Sequence, residues 1–142
     1  MYFRSLAAIL AAFLAFAPAA HAVGSVTAHV DVSRQTMDVY LDGSHAYSWP
    51  VSTARSGKWT PRGRWSAKWL SRNHKSSRYG NAPMPYAIFY SGHYAIHGTN
   101  QTSRLGRPAS AGCVRLHPQN AAHLFSLAQQ VGLKRFKVIV VD

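Results

Sequence analysis

Acidic side chains are scarce in this sequence. There is no glutamate, and the four aspartates face sixteen lysines and arginines, which gives a formal net charge of +12. So basic a chain either presents a generally soluble basic face or binds an acidic partner, for which nucleic acid, anionic lipid and a cell wall with free carboxylates are the candidates. The basic residues are scattered through the middle of the chain and form no arginine-rich tail, which favours a polyanionic surface as the partner.

Cysteine is scarcer still, since Cys113 is the only one. A single cysteine excludes an internal disulfide and leaves a buried small hydrophobic residue, an intermolecular bridge or a reactive thiol. The histidines show no pair with ligand spacing on one helix, because His93 and His97, four residues apart, fall across a predicted strand. We therefore expect no metal site and no cofactor.

The N-terminus has the three parts of a secretory signal. Arg4 precedes an apolar run from Leu6 to Ala20, and Ala20-His21-Ala22 matches the small-x-small pattern of a signal-peptide cleavage site. The run is shorter than the roughly 20 residues that a membrane-spanning helix needs. The sequence predicts a signal peptide over residues 1–22 and one exported domain over residues 23–142, with no stable membrane span after cleavage; an uncleaved anchor is the alternative. Export argues against nucleic acid as the partner.

Alternating apolar residues predict strands at both ends of the domain. They lie at residues 26–32, 36–41 and 45–52, then at residues 86–96 in two strands broken at Ser91-Gly92, and finally at residues 136–141. A helix is predicted from His117-Pro118 to Gly132. Strand and helix units do not alternate, which argues against a parallel α/β fold. We expect a mainly β sandwich or barrel-like domain with one substantial α-helix after the cysteine.

The section from residue 53 to residue 85 is basic and aromatic, and its apolar periodicity is weak. A strand is predicted around residues 64–70, and residues 71–83 are predicted to form a surface loop that walls a groove. Trp59, Trp65 and Trp69 belong to this section. They either bind sugar or peptide or pack the sheet edge, and the sequence leaves both interpretations open.

Residues 96–116 contain the elements of a cysteine nucleophile and its general base. A thiol attacks as the thiolate, so Cys113 needs a nearby base, for which His97 is the candidate. Arg115 adds a positive field that favours the thiolate. The small residues Ala111 and Gly112 permit a tight turn whose N–H groups can face a developing oxyanion.

The scarcity of acids bears on the group that orients His97. All four aspartates are remote in sequence from both His97 and Cys113, so a Cys-His-Asp arrangement can arise only through folding. We expect an uncharged orienter, most simply the backbone carbonyl of Gly98, with a serine or threonine hydroxyl as the alternative.

This pattern resembles the signature of the L,D-transpeptidase catalytic domain, the YkuD-type fold. The likeness rests on His-Gly-Thr at 97–99, Leu-Gly-Arg-Pro-Ala at 105–109 and Ser-Ala-Gly-Cys-Val-Arg-Leu at 110–116. It extends to Pro-Val-Ser-Thr at 50–53, Thr-Pro-Arg-Gly at 60–63 and Met-Pro-Tyr at 84–86. It therefore covers nearly all of the predicted mature chain, and the Ser-x-Gly-Cys-x-Arg part is specific.

The resemblance implies a YkuD-like β-rich fold and a periplasmic enzyme that remodels peptidoglycan and is a carbapenem target. In that family the cysteine, here Cys113, attacks the third residue of a tetrapeptide stem, releases D-alanine and forms a thioester. His97 is the matching base. The amine that resolves the thioester belongs to an acceptor stem or to a protein, for which an outer-membrane protein or lipoprotein is a candidate.

Other positions of this chain match the family's substrate and oxyanion residues. The resemblance assigns this role to Ser110, Gly112, Arg115, Thr99 and Tyr86. One departure is Ala111, where many members carry a histidine that is not the base. We expect this change to alter the polarity of the pocket and the rate without removing the reaction.

Two alternatives remain open at this stage. Water in place of the amine would give an L,D-carboxypeptidase or an endopeptidase, and acceptor choice depends on groove shape, which sequence does not reveal. A non-catalytic wall-binding module would keep the fold and bind through its charge and tryptophans. The intact pair of Cys113 and His97 argues against that second alternative.

Overall fold

The computed structural model describes residues 15–19 and 21–142. The predicted signal peptide, residues 1–22, thus lies largely outside the described residues. Within the described part of the chain, no helix is long and apolar enough to cross a membrane. The elements are, in chain order, β1 (Val26–Asp31), β2 (Thr36–Leu41), β3 (Ser44–Pro50), β4 (Gly63–Ser66), β5 (Trp69–Lys75), β6 (Pro83–Ser91), β7 (Tyr94–Gly98), β8 (Val114–Leu116), α1 (Pro118–Val131) and β9 (Phe136–Val141).

The first sheet has the strand order β3-β2-β1-β9-β4. Its hairpins are antiparallel, whereas β1 and the closing strand β9 run parallel. The alternation seen in the sequence sets one face inward, because Val26, Ala28 and Val30 of β1 are fully buried while the residues between them are not. Phe136 and Val138 of β9 belong to the same core.

The second sheet, with the order β5-β6-β7-β8, carries the residues of interest. Strands β7 and β8 are parallel neighbours, and His97 is in register with Arg115. This pairing brings the end of β7 beside the start of β8. His97 and Cys113, which are well separated in sequence, therefore both lie near the β8 edge of the sheet. The mainly β prediction with one α-helix is confirmed.

Helix α1 covers the inner face of this sheet. The side chain of His117 accepts a hydrogen bond from the Gln119 N–H at 3.2 Å, and Pro118 occupies the first turn. Gly132, with φ of 83°, ends the helix as predicted. Leu124 is fully buried in the core, and truncating such a leucine to alanine typically costs about 2–5 kcal/mol.

The middle of the chain differs from the sequence prediction in two ways. The strand expected at residues 64–70 is two strands, because the Ala67 N–H bonds to Phe136 in the first sheet and the Lys68 N–H bonds to Phe89 in the second. The loop expected at residues 71–83 is wrong for its first part, since β5 continues to Lys75 and pairs with β6. Only residues 76–82 form the loop. Solvent exposure of this edge strand explains its weak apolar periodicity.

Candidate active site

A cavity of about 860 Å³ opens beside the edge where β7 meets β8. Five of the residues predicted from the sequence line it, namely His97, Thr99, Ser110, Cys113 and Arg115. The 76–82 loop contributes Tyr79 to the wall of this cavity, as predicted for a loop in that part of the chain. The cavity is large enough for a peptide segment.

His97 is held in one orientation by its neighbour. The side chain is 6% exposed, and its Nδ1 lies 2.7 Å from the carbonyl oxygen of Gly98. Because a carbonyl oxygen only accepts, Nδ1 carries the proton and Nε2 keeps its lone pair. Gly98 itself is enclosed, with Pro85 and Pro118 within 3.3 Å of where a side chain would begin.

Burial lowers the pKa of His97 to about 4. The charges of Arg115 and His74 lower it further, and the hydrogen bond to Gly98 opposes the change. The imidazole is therefore neutral at pH 7, which is the state in which it can accept a proton from a thiol.

The buried neutral histidine makes stability depend on pH. In the unfolded chain this side chain titrates near 6.5, so the unfolded state binds the proton first as the pH falls. We expect the contribution of His97 to the free energy of unfolding to be constant well above pH 6.5 and to drop by about 3 kcal/mol as the pH falls to 4. Urea titrations at a series of pH values measure this drop.

The variant His97→Asn provides the control for that titration. It should lack the drop between pH 6.5 and 4 but keep the loss at lower pH, because hydrogen bonds lower the pKa values of Asp31 and Asp38 below their usual 3.8. Equal drops in wild type and variant between pH 6.5 and 4 would contradict the assignment to His97.

Cys113 lies immediately before β8 on the cavity wall. Its Sγ is 3.9 Å from the carbonyl oxygen of His93, and it packs against a small apolar cluster that includes Met84 and Phe89. Burial raises the pKa of the thiol, while the Ala95 backbone and Arg115 lower it less. The field of Arg115 acts in the predicted direction, but desolvation outweighs it.

The resting pair is consequently a neutral thiol and a neutral imidazole. In the part of the chain that the structure describes, no hydrogen bond joins Sγ of Cys113 to the ring of His97, although both line one cavity. Catalytic hydrogen bonds are often long in the absence of substrate and tighten in the complex. Because the thiol of Cys113 is protonated at rest, its attack on an acyl carbon would require transfer of the thiol proton to a base in the same step.

Cys113 lies at the end of a turn that side-chain hydrogen bonds hold in place. The Ser110 hydroxyl accepts from the Gly112 N–H at 3.0 Å and donates to the Cys113 carbonyl at 2.6 Å. The Thr60 hydroxyl donates to the Gly112 carbonyl at 2.8 Å. The Gly112 N–H, expected from the sequence to face an oxyanion, is thus occupied by Ser110.

Gly112 has φ of 139°, and a Cβ built on it would lie 2.7 Å from the Tyr94 ring and 2.8 Å from the Trp59 carbonyl oxygen. We expect Gly112→Ala to reduce the free energy of unfolding by about 3 kcal/mol, through a clash combined with backbone strain. Gly106→Ala is the matched control, because Gly106 also has positive φ but open space around it; it should cost about 1 kcal/mol. Urea unfolding compares the two, and equal losses would show that the clash is absent.

Residues 52–55 form hydrogen bonds with the loop that precedes Cys113, here called the nucleophile loop (residues 105–113). The Thr53 carbonyl accepts from the N–H groups of Ala109 and Ser110 at 3.0 and 2.9 Å. The buried Gln35 side chain in turn holds Thr53 through its backbone N–H (2.9 Å) and hydroxyl (2.6 Å). The sequence does not reveal Gln35, Thr53 and Thr60 as supports of this loop. The one signal it contains for Thr53 and Thr60 is the likeness of residues 50–53 and 60–63 to the family pattern.

Arg115 bridges the loop and the cavity. It donates to the Gln101 side chain at 2.9 Å, and in the described part of the chain its buried Nε has no partner. The Thr99 hydroxyl accepts from the Gln101 N–H at 3.1 Å. Tyr86 lies elsewhere: its ring packs against Phe125 of α1, and it is absent from the cavity lining.

The three tryptophans between residues 53 and 85 have different surroundings. Trp69 stacks on Phe89 with 3.9 Å between ring centroids, is 44% exposed and lines the cavity. Trp65 packs against Tyr90 toward the core. Trp59 is 60% exposed, lies under the guanidinium of Arg62 and does not line the cavity. Only Trp69 is therefore placed to contact a ligand in this cavity.

The profile of the YkuD family, described as the L,D-transpeptidase catalytic domain, matches residues 25–140. The chain belongs to the YkuD family. It is 26% identical over 98 residues to a putative L,D-transpeptidase YkuD of Bacillus licheniformis, a match that covers 69% of this chain and 57% of the relative.

Solved structures of L,D-transpeptidases share the fold. The one from Stackebrandtia nassauensis superposes with a TM-score of 0.72 at 25% identity and covers 92% of this chain and 62% of its own. LdtMt1 in complex with imipenem superposes at 0.73 with 21% identity, over 82% of this chain and 59% of its own. The YkuD chain described here thus spans less than two thirds of the length of these relatives.

The His and Asp side chains outside this cavity form neither a metal site nor a catalytic relay in the described part of this YkuD domain. In residues 15–19 and 21–142 there is no group of three His, Cys, Asp or Glu side chains that could hold a metal ion. Asp38 and Ser48 both contact Nε2 of His45 on an exposed hairpin. A catalytic relay needs the acid and the hydroxyl on different ring nitrogens, so this cluster lacks the required arrangement.

Proposed function

We propose that this YkuD domain is a cysteine-dependent L,D-transpeptidase acting on peptidoglycan stems in the periplasm. One observation carries the proposal: a lone thiol and a neutral histidine with its Nδ1 fixed by Gly98 line the same open cavity. Membership of the family supports the reaction class. No cofactor is needed, because thiol and imidazole suffice for acyl transfer.

In the first half-reaction, Sγ of Cys113 attacks the carbonyl carbon of the third stem residue while His97 Nε2 takes the thiol proton. The C–N bond to D-alanine then breaks, and His97 returns the proton to the leaving amine. A thioester on Cys113 remains. Since Ser110 holds the Gly112 N–H, we assign the main oxyanion contact to the N–H of Cys113 itself.

In the second half-reaction an amine attacks the thioester and His97 accepts its proton. The amine comes from a second stem or from a protein exposed to the wall, and the acyl group is transferred as an amide. The thiol leaves with the proton from His97, which restores the neutral pair.

The charge of the cavity supports an acidic peptide as donor. Arg55, Arg78, Arg104 and Arg115 line it, and none of the four aspartates does. Stem peptides carry free carboxylates, which such a cavity attracts over distances of about one Debye length. We therefore place the stem, and no nucleic acid, in this cavity.

The test is product analysis with a tetrapeptide stem and an amine-bearing acceptor stem. Mass spectrometry should find released D-alanine and a crosslinked product containing both peptides. A tripeptide alone, formed at the same rate with and without acceptor, would assign the domain to hydrolysis. No release of D-alanine at all would favour the non-catalytic wall-binding module.

We also expect imipenem to acylate this protein. The strained β-lactam carbonyl is a better acceptor than a peptide carbonyl, and the drug's carboxylate suits a cavity with four arginines. Intact-mass measurement with excess drug should show one added imipenem per chain, and Cys113→Ala should show none. An unmodified wild-type protein, or an adduct on the variant, would contradict the expectation.

A further inference from the structure

A second, smaller recess of about 380 Å³ adjoins the catalytic cavity. Arg55, Arg104 and Arg107 line it together with Pro108 and Ala109. Arg55, Arg104 and Ala109 also line the catalytic cavity, whereas Arg107 faces the recess alone. The two spaces are thus adjacent and share two arginines.

The three guanidinium groups of the recess have no acidic partner in the described part of the chain, where the two salt bridges are His45–Asp38 and Arg62–Asp142. The remaining aspartates are also engaged: Asp31 with the N–H of Arg34, and Asp42 with backbone N–H groups near residue 24. No carboxylate of the described protein therefore neutralises this cluster.

The charges of the arginines in the recess act on Arg115 in the neighbouring catalytic cavity. Burial lowers the pKa of Arg115, and the charges of Arg104 and Arg55 lower it further. Like charges side by side destabilise a folded protein unless an opposite charge binds. The arrangement is that of an anion site whose ligand comes from outside.

The backbone beneath the recess is tied to the nucleophile loop. The Arg55 N–H donates to the Ser110 carbonyl at 2.9 Å, and the Ser52 hydroxyl donates to the Arg107 carbonyl at 2.8 Å. The Gly106 N–H donates to the Val51 carbonyl at 2.8 Å. Hydrogen bonds thus join the backbone of the recess to the loop that carries Cys113.

We infer that Arg55, Arg104 and Arg107 form a subsite for a free carboxylate of the peptide whose carbonyl is attacked by Cys113. The inference rests on the proposed function and adds a specificity to it: stems with free side carboxylates are preferred over stems in which these are carboxamides. Guanidinium groups suit this task because their planar forks bind carboxylates in a bidentate manner. A carboxylate is favoured over a phosphate because the recess adjoins the cavity in which the proposed ligand is a peptide.

Binding to full-length Cys113→Ala protein tests the subsite without turnover. Calorimetry compares a tetrapeptide stem with free side carboxylates and the same peptide with carboxamides. We expect the acid to bind about tenfold more tightly at low salt, with a difference that shrinks as salt is added. Adding Arg107→Gln should reduce the preference to about threefold or less, and Arg107→Lys should fall between the two.

The matched control is Arg135→Gln, which removes the same charge from an exposed position outside both cavities. It should leave the tenfold preference unchanged. If Arg135→Gln lowered the preference for the acid peptide as much as Arg107→Gln does, the preference would depend on net charge alone, and the subsite would be excluded. Thermal unfolding of each variant verifies that folding is retained.

Three further outcomes test the subsite and the proposed function separately. If inorganic phosphate binds in an Arg107-dependent manner while the two peptides bind equally, the recess takes another anion and the inference fails. If wild-type protein releases D-alanine from the acid and amide peptides with the same kcat/KM, the subsite fails and acylation of Cys113 by the stem stands. If neither peptide reacts but the Arg107-dependent preference persists, the subsite stands and the proposed function fails.

Discussion

Replacing Cys113 by alanine is expected to reduce D-alanine release from a tetrapeptide stem by at least about a thousandfold. Cys113 is the only cysteine, so no other thiol can form the thioester. Alanine retains the apolar packing against Met84 and Phe89, and stability should change by about 1 kcal/mol or less. The release rate, measured by coupled detection of D-alanine, gives the result.

The control for this loss is folding, checked by urea unfolding of the same preparation. Cys113→Ser is a second variant, because a hydroxyl occupies the same place with a much higher pKa and should be nearly as inactive. D-alanine release by Cys113→Ala at more than a few per cent of the wild-type rate would exclude Cys113 as the nucleophile.

His97→Gln is expected to slow acylation of Cys113 by about 10²–10⁴-fold. The thiol has a raised pKa and is almost entirely protonated at pH 7, so without a base its attack is slow. Glutamine keeps a polar group beside the Gly98 carbonyl but cannot take up the proton. Single-turnover acylation, followed by intact mass, measures the rate.

Raising the pH should partly rescue His97→Gln, because hydroxide in solution then generates the thiolate that the base no longer provides. His74→Gln is the matched comparison, since His74 also lines the cavity but has no bond to Gly98; it should change the rate by less than about threefold. If His74→Gln were the slower variant, the base would be His74.

Much of the fold follows from local patterns. Apolar residues alternate strictly with other residues in β1, which predicts a strand with one buried face, and β9 has the same alternation of buried residues. Apolar residues recur every three or four positions around Leu124, which predicts a helix with one face packed on a sheet. The crossing at Ala67 and Lys68 could not be predicted, because consecutive N–H groups there bond to different sheets. Such a switch depends on partners remote in sequence.

The site was predictable in its chemistry and less so in its support. The scarcity of acids led to Gly98 as the partner of His97, and the structure places its carbonyl 2.7 Å from Nδ1. Gln35 and Thr60 are distant in sequence from Cys113, and only folding brings them behind its loop. Tyr86 matched a family motif, yet it packs against Phe125 on the helix side of β6.

The balance of charge and burial at Cys113 also required the structure. Sequence proximity to Arg115 favours a thiolate, but desolvation is larger and keeps the thiol protonated. In the proposed mechanism His97 is therefore a base that acts during attack. The protonated state also makes the thiol less prone to oxidation, because oxidation follows thiolate character.

The most direct test of the central claim is the mass of the protein quenched during turnover of a tetrapeptide stem without acceptor. The claim predicts one tripeptide acyl group per chain, and fragmentation should place it on Cys113 as a thioester that hydroxylamine removes. D-alanine release with no such adduct, or an adduct on any other residue, would contradict it.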